Sequence, residues 1–146
     1  MKEKHLRAFM KTAKTFAECS TAERAKVGAI IVKDDRIISM GYNGMPAGWD
    51  NNCEDVVQHS DDTTSLKTKP EVLHAETNAI AKLARSTESG LNATMFVTHS
   101  PCLDCAKLIY QSGINAVYYR DAYRNEDGVQ FLKASGITVE QIEKDA

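Results

Sequence analysis

The sequence predicts an α/β protein in which a mixed five-stranded sheet lies between helices. Two observations lead to this prediction: an early pair of apolar runs separated by a polar turn, and a later alternation of short apolar runs with helical patterns. The pair is typical of an antiparallel hairpin, whereas strand-helix-strand units require parallel strands joined by right-handed crossovers. Helices on both faces of such a sheet give a three-layer α/β/α arrangement.

The predicted order of elements is α-β-β-α-β-α-β-α-β. Apolar residues recur at helical spacing from Leu6 to Ala17 and indicate an amphipathic first helix. The continuous apolar run at 27–32 predicts a strand that is buried on both faces. Gly113 and Gly136 are expected to end two later helices. The other predicted elements are strands at 37–42, 94–98, 114–119 and 137–142, and helices at 75–84, 104–112 and 127–135.

Residues 43–70 form a polar, turn-rich connection in which the sequence predicts no helix or strand. Long connections without structure of their own are usually functional or mobile. We therefore expect an irregular loop that ends just before His74.

The composition is that of one globular domain, residues 1–146, long enough to bury about two thirds of its unfolded surface. A net charge of −2 without any block of Lys or Arg argues against a nucleic-acid polymer as the main partner, because tracking phosphates needs a basic face. The longest apolar run is too short to cross a bilayer, the N-terminus lacks the apolar core of a signal peptide, and the four cysteines form no disulfide framework. We expect a cytoplasmic protein with no membrane partner.

The most specific feature is a split metal signature. His74 and Glu76 lie at a predicted helix start, and Pro101-Cys102-Leu103-Asp104-Cys105 follows downstream. Structural zinc sites are closed by four protein ligands, whereas hydrolytic sites use three and leave one position to water. H-x-E followed by P-C-x-x-C is the signature of zinc nucleobase deaminases. The alternative is a closed structural site with a fourth ligand from among Cys53, His59 and His99.

The residue types explain the chemistry that this signature favours. Bulk water has a pKa of about 15.7, and bound zinc lowers it to roughly 7, so hydroxide becomes available at neutral pH. A helix that begins near His74 turns Glu76 into the same cleft, where it can take the water proton and pass it to the ring nitrogen and the leaving amine. Both ligand groups are predicted at helix N-termini, whose positive ends favour thiolates.

A wider resemblance runs from the first helix to the last strand. It is carried by residues 27–29, by Gly41-Tyr42-Asn43-Gly44 and the four residues after it, and by 74–80, 100–107 and 112–119. These segments resemble the deoxycytidylate (dCMP) deaminase family of the zinc-dependent cytidine deaminase superfamily. The resemblance implies a cytidine-deaminase-like fold, a Zn²⁺ cofactor, and hydrolysis of dCMP to dUMP and ammonia, which supplies dUMP for thymidylate synthesis. It also implies a homo-oligomer, usually a hexamer.

The resemblance assigns catalytic and metal-binding roles to four residues. It implies Glu76 as the proton shuttle and, as zinc ligands, His74, Cys102 and Cys105.

Five further positions are implied as substrate-binding residues: Arg24, Asn43, Asn78, Ser100 and Tyr123. Arg24 matches a position suited to the 5′-phosphate, with a solvated surface arginine as the alternative. Tyr123 matches a tyrosine near the base and sugar, with ordinary aromatic packing as the alternative. Asn43 and Asn78 are suited to bonding sugar hydroxyls or phosphate, and Asn43 alternatively accommodates a left-handed turn.

The Gly-Tyr-Asn-Gly turn implies regulation, because in the family it is associated with activation by dCTP and inhibition by dTTP. The implied effector site comprises Gly41, Tyr42, Asn43 and Gly44, with Mg²⁺ bridging the triphosphate. The glycines are expected to let a nucleotide approach the backbone. Arg85 is suited to meeting triphosphate oxygens at a subunit contact, and its alternative is an ordinary solvent-facing arginine.

Some relatives hold a second, structural zinc. Cys53 and His59 match its ligands loosely, but the usual upstream Cys position is Ala22, and Cys19 lies three residues earlier. Otherwise these cysteines are ordinary thiols.

Two other classes of function remain as alternatives: a deaminase acting on a base in tRNA or single-stranded nucleic acid, and a non-catalytic module stabilised by zinc. The weak basic character opposes the first, and the second leaves Glu76 without a role.

Overall fold

This computed structural model describes residues 1–142. They contain seven strands and four helices joined by loops. In chain order they are α1 (Glu3–Ala17), β1 (Gly28–Lys33), β2 (Arg36–Tyr42), β3 (Glu54–Gln58), β4 (Thr64–Thr68), α2 (Ala75–Ala84), β5 (Thr94–His99), α3 (Leu103–Gln111), β6 (Ala116–Asp121), α4 (Asp127–Ala134) and β7 (Thr138–Gln141). None of the helices within these residues has both the length and the apolar character that a membrane span requires.

The main sheet has five strands, as predicted, and their order is β2-β1-β5-β6-β7. β1 pairs antiparallel with both β2 and β5, whereas β5, β6 and β7 run parallel to one another. The sheet is therefore mixed. The turn between β1 and β2 places Asp34 and Asp35 at φ 51° and 60°, and two consecutive positive φ values are what a tight type I′ hairpin turn requires.

The strand β1 shows why the protein has three layers. Its side chains alternate, so Ala29 and Ile31 face the cluster formed with α2, α3 and α4, while Ile30 and Val32 face the cluster formed with α1. All four of these residues are buried, which confirms the prediction of a strand covered on both faces.

The predicted helix ends at two glycines are also confirmed. Gly113 follows α3 with φ 90°, and Gly136 follows α4 with φ 84°. A left-handed backbone after the last helical turn favours glycine because it has no Cβ to clash.

The prediction for residues 43–70 is wrong in one respect, because the segment contains a hairpin. β3 and β4 pair antiparallel as a separate two-stranded sheet, with Glu54 opposite Thr68 and Val56 opposite Leu66. Most of its side chains are exposed, so its strands show no alternation of apolar and polar residues. Patterns of apolar residues in a sequence reveal strands whose side chains are buried, and few side chains of this hairpin are buried.

Candidate metal centre and substrate cleft

Three ligand-type side chains meet where two helices begin. His74 is the N-cap of α2, Cys102 is the N-cap of α3, and Cys105 lies in the first turn of α3. Residues three apart on a helix share a face, so Cys102 and Cys105 point the same way. His74 Nδ1 lies 3.2 Å from Cys105 Sγ and 3.6 Å from Cys102 Sγ. The predicted ligand set is therefore assembled.

The spacing of these atoms fits a zinc ion. Typical Zn–N and Zn–S bonds at tetrahedral angles separate the nitrogen from each sulfur by about 3.5 Å, and the two observed distances lie close to that value. The three ligand atoms are all within 4.8 Å of one another, and no fourth His, Cys, Asp or Glu within residues 1–142 joins them. The arrangement is that of an open three-ligand site, and the closed alternative through Cys53, His59 or His99 is not formed.

Hydrogen bonds within this group favour a thiolate on Cys102. Donation from the Cys105 thiol, and then from His74, lowers the pKa of Cys102 to about 4. The same bond to Cys102, together with burial, raises the pKa of Cys105, and hydrogen bonding to Cys102 raises the pKa of His74. A preformed thiolate beside a histidine at the positive ends of two helices is an environment suited to a divalent cation.

Glu76 is the second residue of α2, lines the same cleft as His74 and Cys102, and is only 5% exposed. Burial raises the pKa of its carboxyl to about 7, while backbone hydrogen bonding and the charge of His74 act in the opposite direction. A carboxyl group with a pKa near neutrality can accept and donate a proton with similar ease. This is the property that a proton shuttle needs.

The metal ligands open onto a cleft of about 260 Å³. Residues predicted from the sequence line it together: Arg24, Asn43, His74, Glu76, Ser100, Cys102 and Tyr123. Asn78 does not line the cleft. Its side-chain amide donates to the Tyr42 carbonyl oxygen at 3.1 Å and so bonds the end of β2.

Arg24 and Asn43 both line the cleft, but their side chains differ in how many hydrogen bonds they already make. The exposed Arg24 side chain donates from Nη1 to Thr68 Oγ1 at 3.1 Å. The Asn43 side chain is committed to the backbone: Oδ1 accepts from the Val27 N–H at 2.9 Å, and Nδ2 donates to the Ala25 carbonyl at 2.8 Å. Asn43 is not among the residues with positive φ, so the left-handed alternative for it is wrong.

Ser100 and Tyr123 form a connected pair at the cleft. Ser100 is 6% exposed, and its hydroxyl accepts from the Tyr123 backbone N–H at 2.7 Å. The Tyr123 side chain is itself 53% exposed, so ordinary core packing does not explain its position. The ring is available to a ligand in the cleft.

Three further residues line the cleft: Glu54 and Thr68, which the sequence did not indicate, and His99, which it indicated only as an alternative metal ligand. Glu54 is 5% exposed, and its Oε2 accepts from the backbone N–H groups of Glu23 and Arg24 at 3.0 and 3.2 Å. His99 Nε2 lies 3.9 Å from Asp121 Oδ2. His99 is the last residue of β5, one position beyond the predicted strand at 94–98, and its place next to the metal motif was a usable signal, whereas Glu54 and Thr68 lie in the hairpin that showed no pattern.

The proposed effector turn has two different glycines. A Cβ on Gly41 would lie 2.5 Å from the Ala75 carbonyl oxygen, so this glycine permits β2 to pack closely on α2. This packing gives Gly41 a structural role, and the approach of a nucleotide to it stays a prediction. Gly44 has open space around its Cβ position. Tyr42 has Lys82 Nζ 5.7 Å from its ring centroid, and Arg85 is exposed at the C-cap of α2, the end opposite His74.

The candidates for a second zinc do not form a ligand group within residues 1–142. Cys53 is buried, with its sulfur 3.5 Å from Thr21 Oγ1, whereas Cys19 is exposed. His59 Nε2 is 2.7 Å from Ser65 Oγ on the β3-β4 hairpin.

The sequence and the fold are similar to those of known proteins. The family described as the cytidine and deoxycytidylate deaminase zinc-binding region matches residues 3–121. The chain is 39% identical to ComE operon protein 2 of Bacillus subtilis over 142 residues, covering 94% of this chain and 70% of that protein. It is 37% identical to deoxycytidylate deaminase of Enterobacteria phage T4 over 155 residues, covering 82% of this chain and 80% of that protein.

Among solved structures, dCMP deaminase from the cyanophage S-TIM5, in complex with dCMP and dUMP, superposes with a TM-score of 0.87 at 45% identity. The superposition covers 97% of this chain and 99% of that one. With the His/Cys/Cys group and Glu76 in place, these likenesses show that the chain belongs to the cytidine and deoxycytidylate deaminase family of zinc-binding proteins.

Proposed function

We propose that this protein hydrolyses dCMP to dUMP, consuming one water molecule and releasing one ammonia. The observation that carries the proposal is that a single cleft is lined by Glu76, by the cationic Arg24 and by His74 and Cys102, which form the three-ligand centre with Cys105. The T4 relative bears the name deoxycytidylate deaminase, and the cyanophage structure contains dCMP and dUMP. Both support a deoxynucleotide as the substrate.

Glu76 acts as the proton shuttle in this proposal. Zinc bound by His74, Cys102 and Cys105 would supply a Lewis acid that makes water nucleophilic at neutral pH. Glu76 takes the proton from the attacking water and delivers it to the ring nitrogen, and it then takes the remaining proton of the added hydroxyl group and delivers it to the amine, which leaves as ammonia while the carbonyl forms. Its burial keeps competing water away and holds its pKa in the range where both transfers are feasible.

Arg24 binds the 5′-phosphate, and Ser100 and Tyr123 contact the nucleoside part. A guanidinium group pairs with phosphate oxygens in bidentate geometry. Arg24 lines the cleft, and its bond to Thr68 uses one donor on Nη1, which leaves other guanidinium N–H groups for a phosphate. Asn43 contributes by holding the backbone at Ala25 and Val27, beside the phosphate position.

Substrate choice is tested by measuring ammonia release from dCMP, deoxycytidine and a tRNA anticodon stem. We expect dCMP to be strongly preferred. Arg24→Ala should reduce kcat/KM for dCMP by about 10- to 150-fold, because a charge-assisted contact contributes roughly 1.5–3 kcal/mol, and should leave deoxycytidine almost unchanged. Preferred turnover of the tRNA stem would contradict the proposal, and equal losses on both small substrates would make Arg24 structural.

The proposal includes regulation and assembly. We propose that dTTP inhibits and dCTP activates through the Tyr42–Gly44 turn, with Mg²⁺ on the triphosphate, in a cytoplasmic homo-oligomer that is a hexamer. The open space at Gly44 and the exposed Arg85 support a ligand outside the catalytic cleft. The turn lies next to β2 and α2, so an effector there can act on His74 without contacting it.

A further inference from the structure

The segment that carries Arg24 has no regular structure of its own. We call residues 20–27, between α1 and β1, the arm. Backbone N–H and carbonyl groups that lie outside helices and sheets need other partners, so the shape of such a segment depends on what binds them. In the arm these partners are side chains, including Asn43 at Val27 and Ala25.

One cross-strand pair of the β3-β4 hairpin holds Arg24 at two points. Glu54, the first residue of β3, accepts from the backbone N–H groups of Glu23 and Arg24. Thr68, the last residue of β4, accepts from the Arg24 guanidinium. Glu54 and Thr68 are directly opposite each other in the hairpin. The hairpin therefore fixes both the backbone and the charged end of Arg24.

We propose that Glu54 is a positioning residue for the substrate phosphate, acting through Arg24. This inference rests on the proposed function, in which Arg24 binds the 5′-phosphate. A long arginine side chain on an irregular segment must lose rotamer and backbone freedom when it binds an anion, and a protein that has already ordered it binds more tightly. The Glu54-Thr68 pair performs that ordering before substrate arrives.

The charge of Glu54 favours positioning over direct contact with phosphate. A carboxylate repels a phosphate, so an acid in this part of the cleft would weaken substrate binding if it acted by charge alone. A buried carboxylate also requires hydrogen bonds to offset its lost hydration, and the two N–H groups supply them. The side-chain oxygen of a glutamine can accept the same bonds without the charge.

The test is steady-state ammonia release from dCMP and deoxycytidine by the full-length zinc-loaded protein. Glu54→Ala should raise KM for dCMP by about 5- to 50-fold with kcat changed less than about threefold, on the scale of losing hydrogen bonds that position a contact. The matched control Glu54→Gln should stay within about threefold of the wild-type KM. Neither variant should alter kcat/KM for deoxycytidine, which has no phosphate.

A double-mutant cycle tests whether Glu54 acts through Arg24. Adding Glu54→Ala to Arg24→Ala should cost less than about twofold beyond Arg24→Ala alone, because the group being positioned is already gone. Thr68→Val retains the shape of the side chain and removes its acceptor, so it should raise KM for dCMP about two- to tenfold in wild type and not in Arg24→Ala. Thr68→Val gives the same test if Glu54→Ala does not fold.

Three outcomes would overturn the inference: a Glu54→Ala loss that is equal on deoxycytidine, a loss that persists in full in the Arg24→Ala background, or a Glu54→Gln variant as impaired as Glu54→Ala. Different results would contradict the proposed function itself. In that case wild-type protein does not prefer dCMP, or Arg24→Ala does not distinguish the two substrates.

Discussion

Helix α4 packs so closely on the loop carrying Cys102 that only glycine fits at position 128. A Cβ there would lie 2.1 Å from the Pro101 carbonyl oxygen and 2.7 Å from the Cys102 carbonyl carbon, whereas real Cβ atoms essentially never come within 3.0 Å of such atoms. Gly128→Ala must therefore separate the two backbones by about 0.9 Å. The obstructing atoms belong to backbone, so no flexible side chain can move aside.

A shift of that size is large for a metal site. Ligand distances in such sites are held within about 0.2 Å, and a misplacement of about 1 Å can cost on the order of 10²-fold in rate. We expect Gly128→Ala to lose part of its zinc and about 10²-fold in kcat/KM for dCMP. Overpacking should also lower the free energy of unfolding by about 1–3 kcal/mol. The measurements are metal analysis, ammonia release and urea unfolding.

Gly136→Ala is the matched control at the other end of α4. Its φ of 84° makes alanine strained by roughly 1–2 kcal/mol, but its Cβ would contact nothing within 4 Å. We expect a similar loss of stability with full zinc content and normal turnover. The reasoning is refuted if Gly128→Ala keeps both its zinc and a kcat/KM within twofold of wild type.

Three other predictions concern the catalytic centre and its regulation. Glu76→Gln should keep zinc but lower kcat by about 10²- to 10⁴-fold, and near-normal turnover would remove Glu76 from the proton-transfer role. Cys105→Ala should lose zinc and activity together, because two ligands make a poor tetrahedral site, whereas Cys53→Ala should keep both; full zinc occupancy in Cys105→Ala by metal analysis would contradict the ligand assignment. In a dTTP titration of dCMP turnover, we expect inhibition that dCTP opposes and Tyr42→Ala weakens, with a coupling of about 1–3 kcal/mol. Purely competitive inhibition, unaffected by dCTP or the substitution, would mean that dTTP only enters the catalytic cleft.

Local patterns were sufficient to predict the main sheet and its helices. β1 is apolar throughout and is buried on both faces, and Gly113 and Gly136 end helices with positive φ. Each of these features depends on neighbours within a few residues along the chain. The β3-β4 hairpin was missed because its strands are mostly exposed and polar.

The two glycines of the turn at residues 41–44 show that the same residue type can be present for different structural reasons. Gly41 and Gly44 look equivalent in the sequence, yet Gly41 lies against α2 and Gly44 faces open space. Similarly, Asn78 is one turn beyond His74 but bonds the Tyr42 carbonyl instead of facing the cleft. Helical spacing predicts which side of a helix a residue lies on, but not which neighbouring strand it meets.

Sequence alone was enough to identify the metal centre. His74, Cys102 and Cys105 are ligand residue types, and each lies at or just inside a helix start, where short-range geometry determines its direction. Arg24 and its partners could not be found in that way. Its bonds to Glu54 and Thr68 join residues 30 and 44 positions apart, and the contact of Gly128 with Pro101 joins separate elements. Such contacts follow from how the sheet, the hairpin and the helices pack, and no periodicity within one segment records them.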